Sequence, residues 1–104
     1  MEPLICPFCD PDKKEIVVEN DLAYGRYDKY PVNPGHMLII PKRHVSNYFD
    51  ATMEEKEAIL ALIDEARQII DENFHPDGYT IGVNVGEAAG QTVMHLHVHP
   101  SVIG

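Results

Sequence analysis

The sequence predicts an α+β fold, an antiparallel sheet of about five strands packed on one long helix, in a single domain over residues 1–104. Three observations carry this. Short β-like runs are separated by turn residues. One longer stretch has strict helical spacing and opens with a cap sequence. Strands stand on both sides of that helix in the chain, an order that suits a helix laid on an antiparallel sheet.

The elements follow in order. Residues 1–12 hold Cys6, Cys9 and a Pro-Asp turn. Residues 15–18 and 22–27 read as two strands around the turn residues Glu19, Asn20 and Asp21. Residues 28–35, with two prolines, a glycine and an asparagine, read as a loop, and 36–40 as a third strand stopped by Pro41. Thr52 is an N-cap, and Glu55 completes a capping box. Ile59, Leu62, Ile63, Ala66, Ile69 and Ile70 form one apolar face, and Glu54, Glu55 and Glu57 favour the positive end of the helix dipole. Residues 73–78 end the helix; 79–85 read as a strand, 86–90 as a turn and 92–99 as the last strand.

Composition narrows the function. With 44% hydrophobic and 24% charged residues the chain is ordinary globular protein. No apolar run approaches the roughly 18–20 residues of a membrane span. The first residues show no basic segment leading into an apolar one, so no signal peptide is expected and the cytoplasm is the expected location. A net charge of −9 repels a nucleic-acid backbone, but not a small nucleotide held locally by backbone N–H groups and a few side chains.

Two features carry chemistry. Cys6-Pro-Phe-Cys9 is open to metal binding, to redox chemistry, or to a plain pair of reduced thiols. The pattern also resembles a glutaredoxin active site, but such a site follows a strand and opens a helix. Only five residues precede Cys6, and no helical pattern follows Cys9. The second feature is His95-Leu96-His97-Val98-His99. On a strand the three imidazoles would share one face, with Leu96 and Val98 turned to the core. Taken alone, the row fits catalysis, a polar strand face, or a zinc site using two of the three.

The surroundings add to this. Asn84-Val85-Gly86 and Gly90-Gln91-Thr92-Val93 precede the row, and an earlier block runs Asp28-Lys29-Tyr30-Pro31-Val32-Asn33-Pro34-Gly35-His36, then Pro41-Lys42-Arg43-His44. From Cys6 to His99 the chain resembles the histidine triad (HIT) family, whose motif is His-x-His-x-His with alternating apolar residues. The resemblance implies a HIT-like fold and a nucleotide hydrolase or nucleotidyl transferase, cleaving dinucleoside polyphosphates or nucleoside phosphoramidates at the α-phosphate. His97 would be the nucleophile, forming a nucleotidyl-histidine, and a neutral imidazole suits that role near neutral pH. His99 would orient the site and bind phosphate; Gln91 and Thr92 would contact phosphate, Gln91 also placing the water. Asn84 would add a phosphate contact, Asp28 would accept from the ribose hydroxyls, Phe8 would wall the nucleobase, and His36 would stand behind the row. Without the resemblance, Asp28 reads as a loop cap, Asn84 and Thr92 as sheet-end hydrogen bonders, and Phe8 as core.

The resemblance also implies a structural zinc on Cys6, Cys9, His44 and His95, which would leave His97 free for chemistry. It implies a two-fold homodimer through the long helix and a sheet edge; Leu60 and Ala61 lie off the apolar stripe, and so small a domain gains from extra burial. Two departures stand out. Pro100 and Ser101 follow His99 where the family has apolar residues, so Pro100 is expected to end strand pairing or confine it to an edge. The sequence also ends at Gly104, without the long C-terminal tail that shapes substrate choice in related enzymes. Arg26 stands two before Asp28, where an apolar aromatic is common, and could lie against the base or reach a phosphate. The competing readings are a nucleotide-binding regulatory protein with little turnover and a zinc-binding structural protein; His97, Gln91 and Asp28 together favour the enzyme, because a zinc scaffold needs none of them.

Overall fold

A computed structural model describes residues 6–29 and 34–103. Residues 30–33 of the proline-containing loop, the first five residues and Gly104 lie outside the described residues. The strands are β1 (Ile16–Glu19), β2 (Ala23–Tyr27), β3 (Met37–Pro41), β4 (Gly78–Val83) and β5 (Val98–Ile103), with one long helix, α1 (Met53–Phe74). All pairings are antiparallel and the sheet order is β1-β2-β3-β5-β4. This is the α+β architecture the sequence predicts.

The helix begins where its cap dictates. The Thr52 hydroxyl accepts from the Glu55 N–H at 3.1 Å, and the Glu55 carboxylate accepts from the Thr52 N–H at 2.9 Å. It ends at His75, which takes a left-handed conformation at φ 48°. Ile59, Leu62, Ala66 and Ile70 are buried against Val18, Ala23, Met37, Ile39, Leu96 and Val98. Gly25 of β2 is required by this packing: a Cβ there would stand 2.6 Å from Val18 Cγ2 and 2.8 Å from Ile39 Cδ1. The sheet's other face carries a smaller cluster of Phe8, Tyr24, Leu38 and Ile40. Strand parity therefore turns Tyr24, Arg26 and the flanking Asp28 away from the helix, beside Leu38 of β3 and His36 just before it.

The last strand differs from the expectation in two respects. It runs from Val98 to Ile103, not from residue 92 to 99; residues 91–97 are irregular, and of the three histidines only His99 lies within β5. The His-Leu-His-Val-His alternation has the period of a strand, but the segment before Val98 bends, and its backbone is held by other partners, such as the Leu96 N–H on the Val45 carbonyl at 2.8 Å. Nor does Pro100 end pairing. It lies opposite Ile81, and β5 continues along β4 to Ile103. On the β3 side the register is Ile39 with Val98. Beyond that point β5 has a ladder on one side, a setting in which a residue lacking an N–H is tolerated. Among the described residues no helix is long and apolar enough to cross a membrane.

Candidate functional site

The histidine row survives the loss of regular strand. Leu96 and Val98 are buried under the helix, as alternation requires, while the imidazoles gather on the opposite face. The His97 and His99 ring centroids are 4.8 Å apart, and Phe8 meets the His97 ring edge-on at 5.0 Å. His97 Nδ1 lies 2.7 Å from the His95 carbonyl oxygen. A carbonyl only accepts, so Nδ1 carries the proton, and in the neutral ring Nε2 keeps its lone pair. The tautomer of His97 is thus set by the backbone. His99 is half-buried; burial lowers its pKa, the His97 charge adds to this, and Asp28 opposes it. Its Nε2 is buried and has no hydrogen-bond partner among the described residues, as is true of His36 Nδ1.

Two cavities flank Asp28 and His99. The first, of about 270 Å³, is lined by His97 and His99 together with Phe8, Leu38, Val93, Arg26, Asp28, Lys29 and Thr92. The second, of about 360 Å³, is lined by His36, Thr80, Asn84 and Ser101, with Asp28 and His99 common to both. The expected set is therefore brought together with one division: Phe8, Thr92, Asp28, His97 and His99 share the first space, while Asn84 and His36 face the second. Gln91 lines neither. Its amide nitrogen donates to the Ser46 carbonyl at 2.6 Å and the Val93 carbonyl at 3.0 Å, and its oxygen accepts from the Gly86 N–H at 2.8 Å. Both amide hydrogens are taken, so donation from Gln91 to a phosphate requires it to exchange one of these bonds. Gly90, at φ 97°, makes the turn that leads into it.

Beside the first cavity lies a cluster of metal-ligating atoms. The donor atoms of Cys6, Cys9, His44 and His95 all lie within 4.8 Å of one another. His95 Nε2–H donates to the Pro41 carbonyl at 2.8 Å, which leaves Nδ1 unprotonated, and Nδ1 stands 3.2 Å from the Cys6 sulfur and 3.5 Å from that of Cys9. His44 Nδ1 is 3.0 Å from the Cys9 sulfur. The Cys9 thiol is pushed up to about 11 by desolvation, with the Cys6 hydrogen bond and charge adding to it; a cation between the sulfurs acts in the opposite sense. Two thiols and two imidazoles, that of His95 held in one tautomer, fit a tetrahedral ion such as zinc, so the cluster could hold one. The turn that supplies both sulfurs also carries Phe8, whose carbonyl accepts from the Tyr24 hydroxyl at 2.6 Å.

Sequence reasoning passed over Lys29, Leu38 and Val93 of the cavity wall. The signal for Leu38 was available: it lies opposite Arg26 in the sheet register and on the same face. Arg26 itself is 5% exposed, donates through Nη2 to Glu15 and through Nε to the Tyr27 carbonyl at 3.4 Å, and lines the cavity.

The model of the HIT domain matches residues 11–103. The chain is 36% identical over 85 residues to an AP-4-A phosphorylase of Mycobacterium tuberculosis, spanning 81% of this chain and 44% of that protein. It is 36% identical over 87 residues to a bis(5'-adenosyl)-triphosphatase of Dictyostelium discoideum, spanning 84% of this chain and 58% of that one. It thus covers about half the length of these curated relatives. Among solved structures, a HIT family member from Bacillus subtilis superposes with a TM-score of 0.85 at 31% identity, over 94% of this chain and 72% of that chain. The Plasmodium falciparum diadenosine triphosphate hydrolase, solved with cyclomarin A, gives 0.85 at 30% identity, over 90% and 64%. On its sequence, its fold and the matched domain, the chain belongs to the HIT domain family.

Proposed function

We propose that the protein is a nucleotide hydrolase or nucleotidyl transferase that cleaves dinucleoside polyphosphates or nucleoside phosphoramidates through a covalent nucleotide on His97. The observation that carries this reading is the 2.7 Å bond from His97 Nδ1 to the His95 carbonyl, which aims the free electron pair at Nε2, in a ring that lines the cavity. Nε2 attacks the α-phosphorus; the N–P bond forms as the P–O or P–N bond to the leaving group breaks, and the leaving group departs with that electron pair. Water then attacks the same phosphorus and releases the nucleoside monophosphate and the free imidazole. His99 serves the phosphate, Asp28 the ribose and Phe8 the base. Asn84 serves the leaving half in the second cavity, which Asp28 and His99 join to the first. Gln91 holds the loops around the nucleophile in register. The named activities of the M. tuberculosis and D. discoideum relatives support the substrate class.

Cys6, Cys9, His44 and His95 would hold zinc. The ion's contribution would be structural: bound there, it would fix the Phe8 turn to the segment that carries His97. The test of the reading is turnover of diadenosine polyphosphates and adenosine phosphoramidate by His97→Ala. The variant should keep its fold and lose activity by about a thousandfold or more; near-normal turnover by a clean preparation would sink it.

A further inference from the structure

The first cavity is lined by His97 and His99, by the apolar side chains Phe8, Leu38 and Val93, and by two cations, Lys29 and the buried Arg26. A nucleotide placed with its phosphorus at His97 and its base on Phe8, as the proposed function requires, shares this cavity with Arg26. Burying an arginine against apolar walls is costly unless its donors are used. Here Nη2 is used by Glu15 and Nε by the Tyr27 carbonyl, while no hydrogen bond joins Nη1 to a described residue.

From this we infer that Arg26 is a specificity-determining residue that selects a base with a carbonyl acceptor on its edge, a 6-oxopurine, over adenine. Guanidinium groups have donors and no acceptor. Guanine and hypoxanthine offer O6 and N7 as adjacent acceptors, whereas adenine offers a donating amino group beside N7, which faces Arg26 as donor against donor. Glu15 keeps the guanidinium oriented, and Lys29 shares that carboxylate at 3.7 Å. The inference rests on the nucleotide reading of the cavity. It departs from the adenosine compounds for which the M. tuberculosis and D. discoideum relatives are named.

The test is equilibrium binding, by calorimetry, of four ribonucleoside monophosphates to the intact protein: those of guanine, hypoxanthine, adenine and 2-aminopurine. The two oxo bases should bind about tenfold more tightly than the two without O6. Arg26→Leu should bring the four affinities to within about twofold of one another, and Arg26→Lys should retain part of the preference. Adenine bound as tightly as guanine by the wild type would overturn the inference and leave the nucleotide reading standing. Binding of none of the four would overturn both. The wild-type series needs no variant, so a failure of Arg26→Leu to fold does not protect the proposal.

Discussion

At the scale of single residues, Asp28 is the sharpest test of nucleoside recognition. A carboxylate at the junction of both cavities repels a polyanion, so its presence needs a compensating contact. Two ribose hydroxyls donating to it would supply charge-assisted bonds worth roughly 1.5–3 kcal/mol each. Asp28→Asn should therefore lower kcat/KM for ribonucleotide substrates markedly and for 2′-deoxy analogues much less. Matched kinetics on both sugars check this, and equal losses would return Asp28 to the status of a loop cap. The residue positions were legible to different depths. His97 and His99 could be placed from the triad alone. The three backbone bonds that tie down Gln91 could not, because a partner such as the Ser46 carbonyl is far away in the chain.

At the scale of elements, Glu55 joins the helix to the loop that carries His44. It caps α1 through Thr52, and its carboxylate also takes two bonds from Arg43, at 2.8 and 2.9 Å, next in the chain to His44. Arg43 lowers the Glu55 pKa, against the opposing effect of burial. A depressed carboxylate contributes stability above its unfolded pKa, and that stability is lost as pH falls through the ordinary value of 4.5 toward the folded one. Glu55→Gln keeps the cap acceptor and loses the ion pair. It should cost about 1–2 kcal/mol at neutral pH, with the gap to wild type narrowing in thermal melts at about pH 3.5. The capping box was readable because its signals are local. The last strand was misplaced because a period of two in the sequence cannot show whether a neighbouring strand is there to pair with it. Residues 92–97 have the pattern without the ladder, and Ser101 to Ile103 have the ladder without the pattern.

The cysteine turn makes a second prediction at this scale. Metal analysis should find about one zinc per chain. Replacing both Cys6 and Cys9 by serine should remove it and lower thermal stability more than it lowers the rate of the chemical step. A Cys6–Cys9 disulfide in zinc-free protein prepared under reducing conditions would contradict the metal assignment.

At the scale of the whole molecule, the sheet ends in an open edge. Among the described residues strand β4 has a partner on one side only, and Ile81 on it is 58% exposed. Leu60, 62% exposed on α1, lines with Ile81, Ile63 and Val83 an apolar hollow of about 180 Å³ between helix and edge. An unpaired edge beside apolar surface invites a second copy. We propose a homodimer through this face: light scattering should give twice the chain mass, and Leu60→Glu with Ile81→Arg should give the monomer. A monomeric mass for the wild type across a wide concentration range would refute it. The fold class was legible because it depends on the order of elements; the two-cavity layout was not, because it arises only when β2, β5 and the cysteine turn meet.

The most direct measurement is intact and peptide mass spectrometry of protein quenched in acid-free conditions during turnover of a dinucleoside polyphosphate. The account predicts an added nucleoside monophosphate, mapped to His97 and absent from His97→Ala. Turnover with no adduct on any histidine, or an adduct on another residue that persists in His97→Ala, would contradict it.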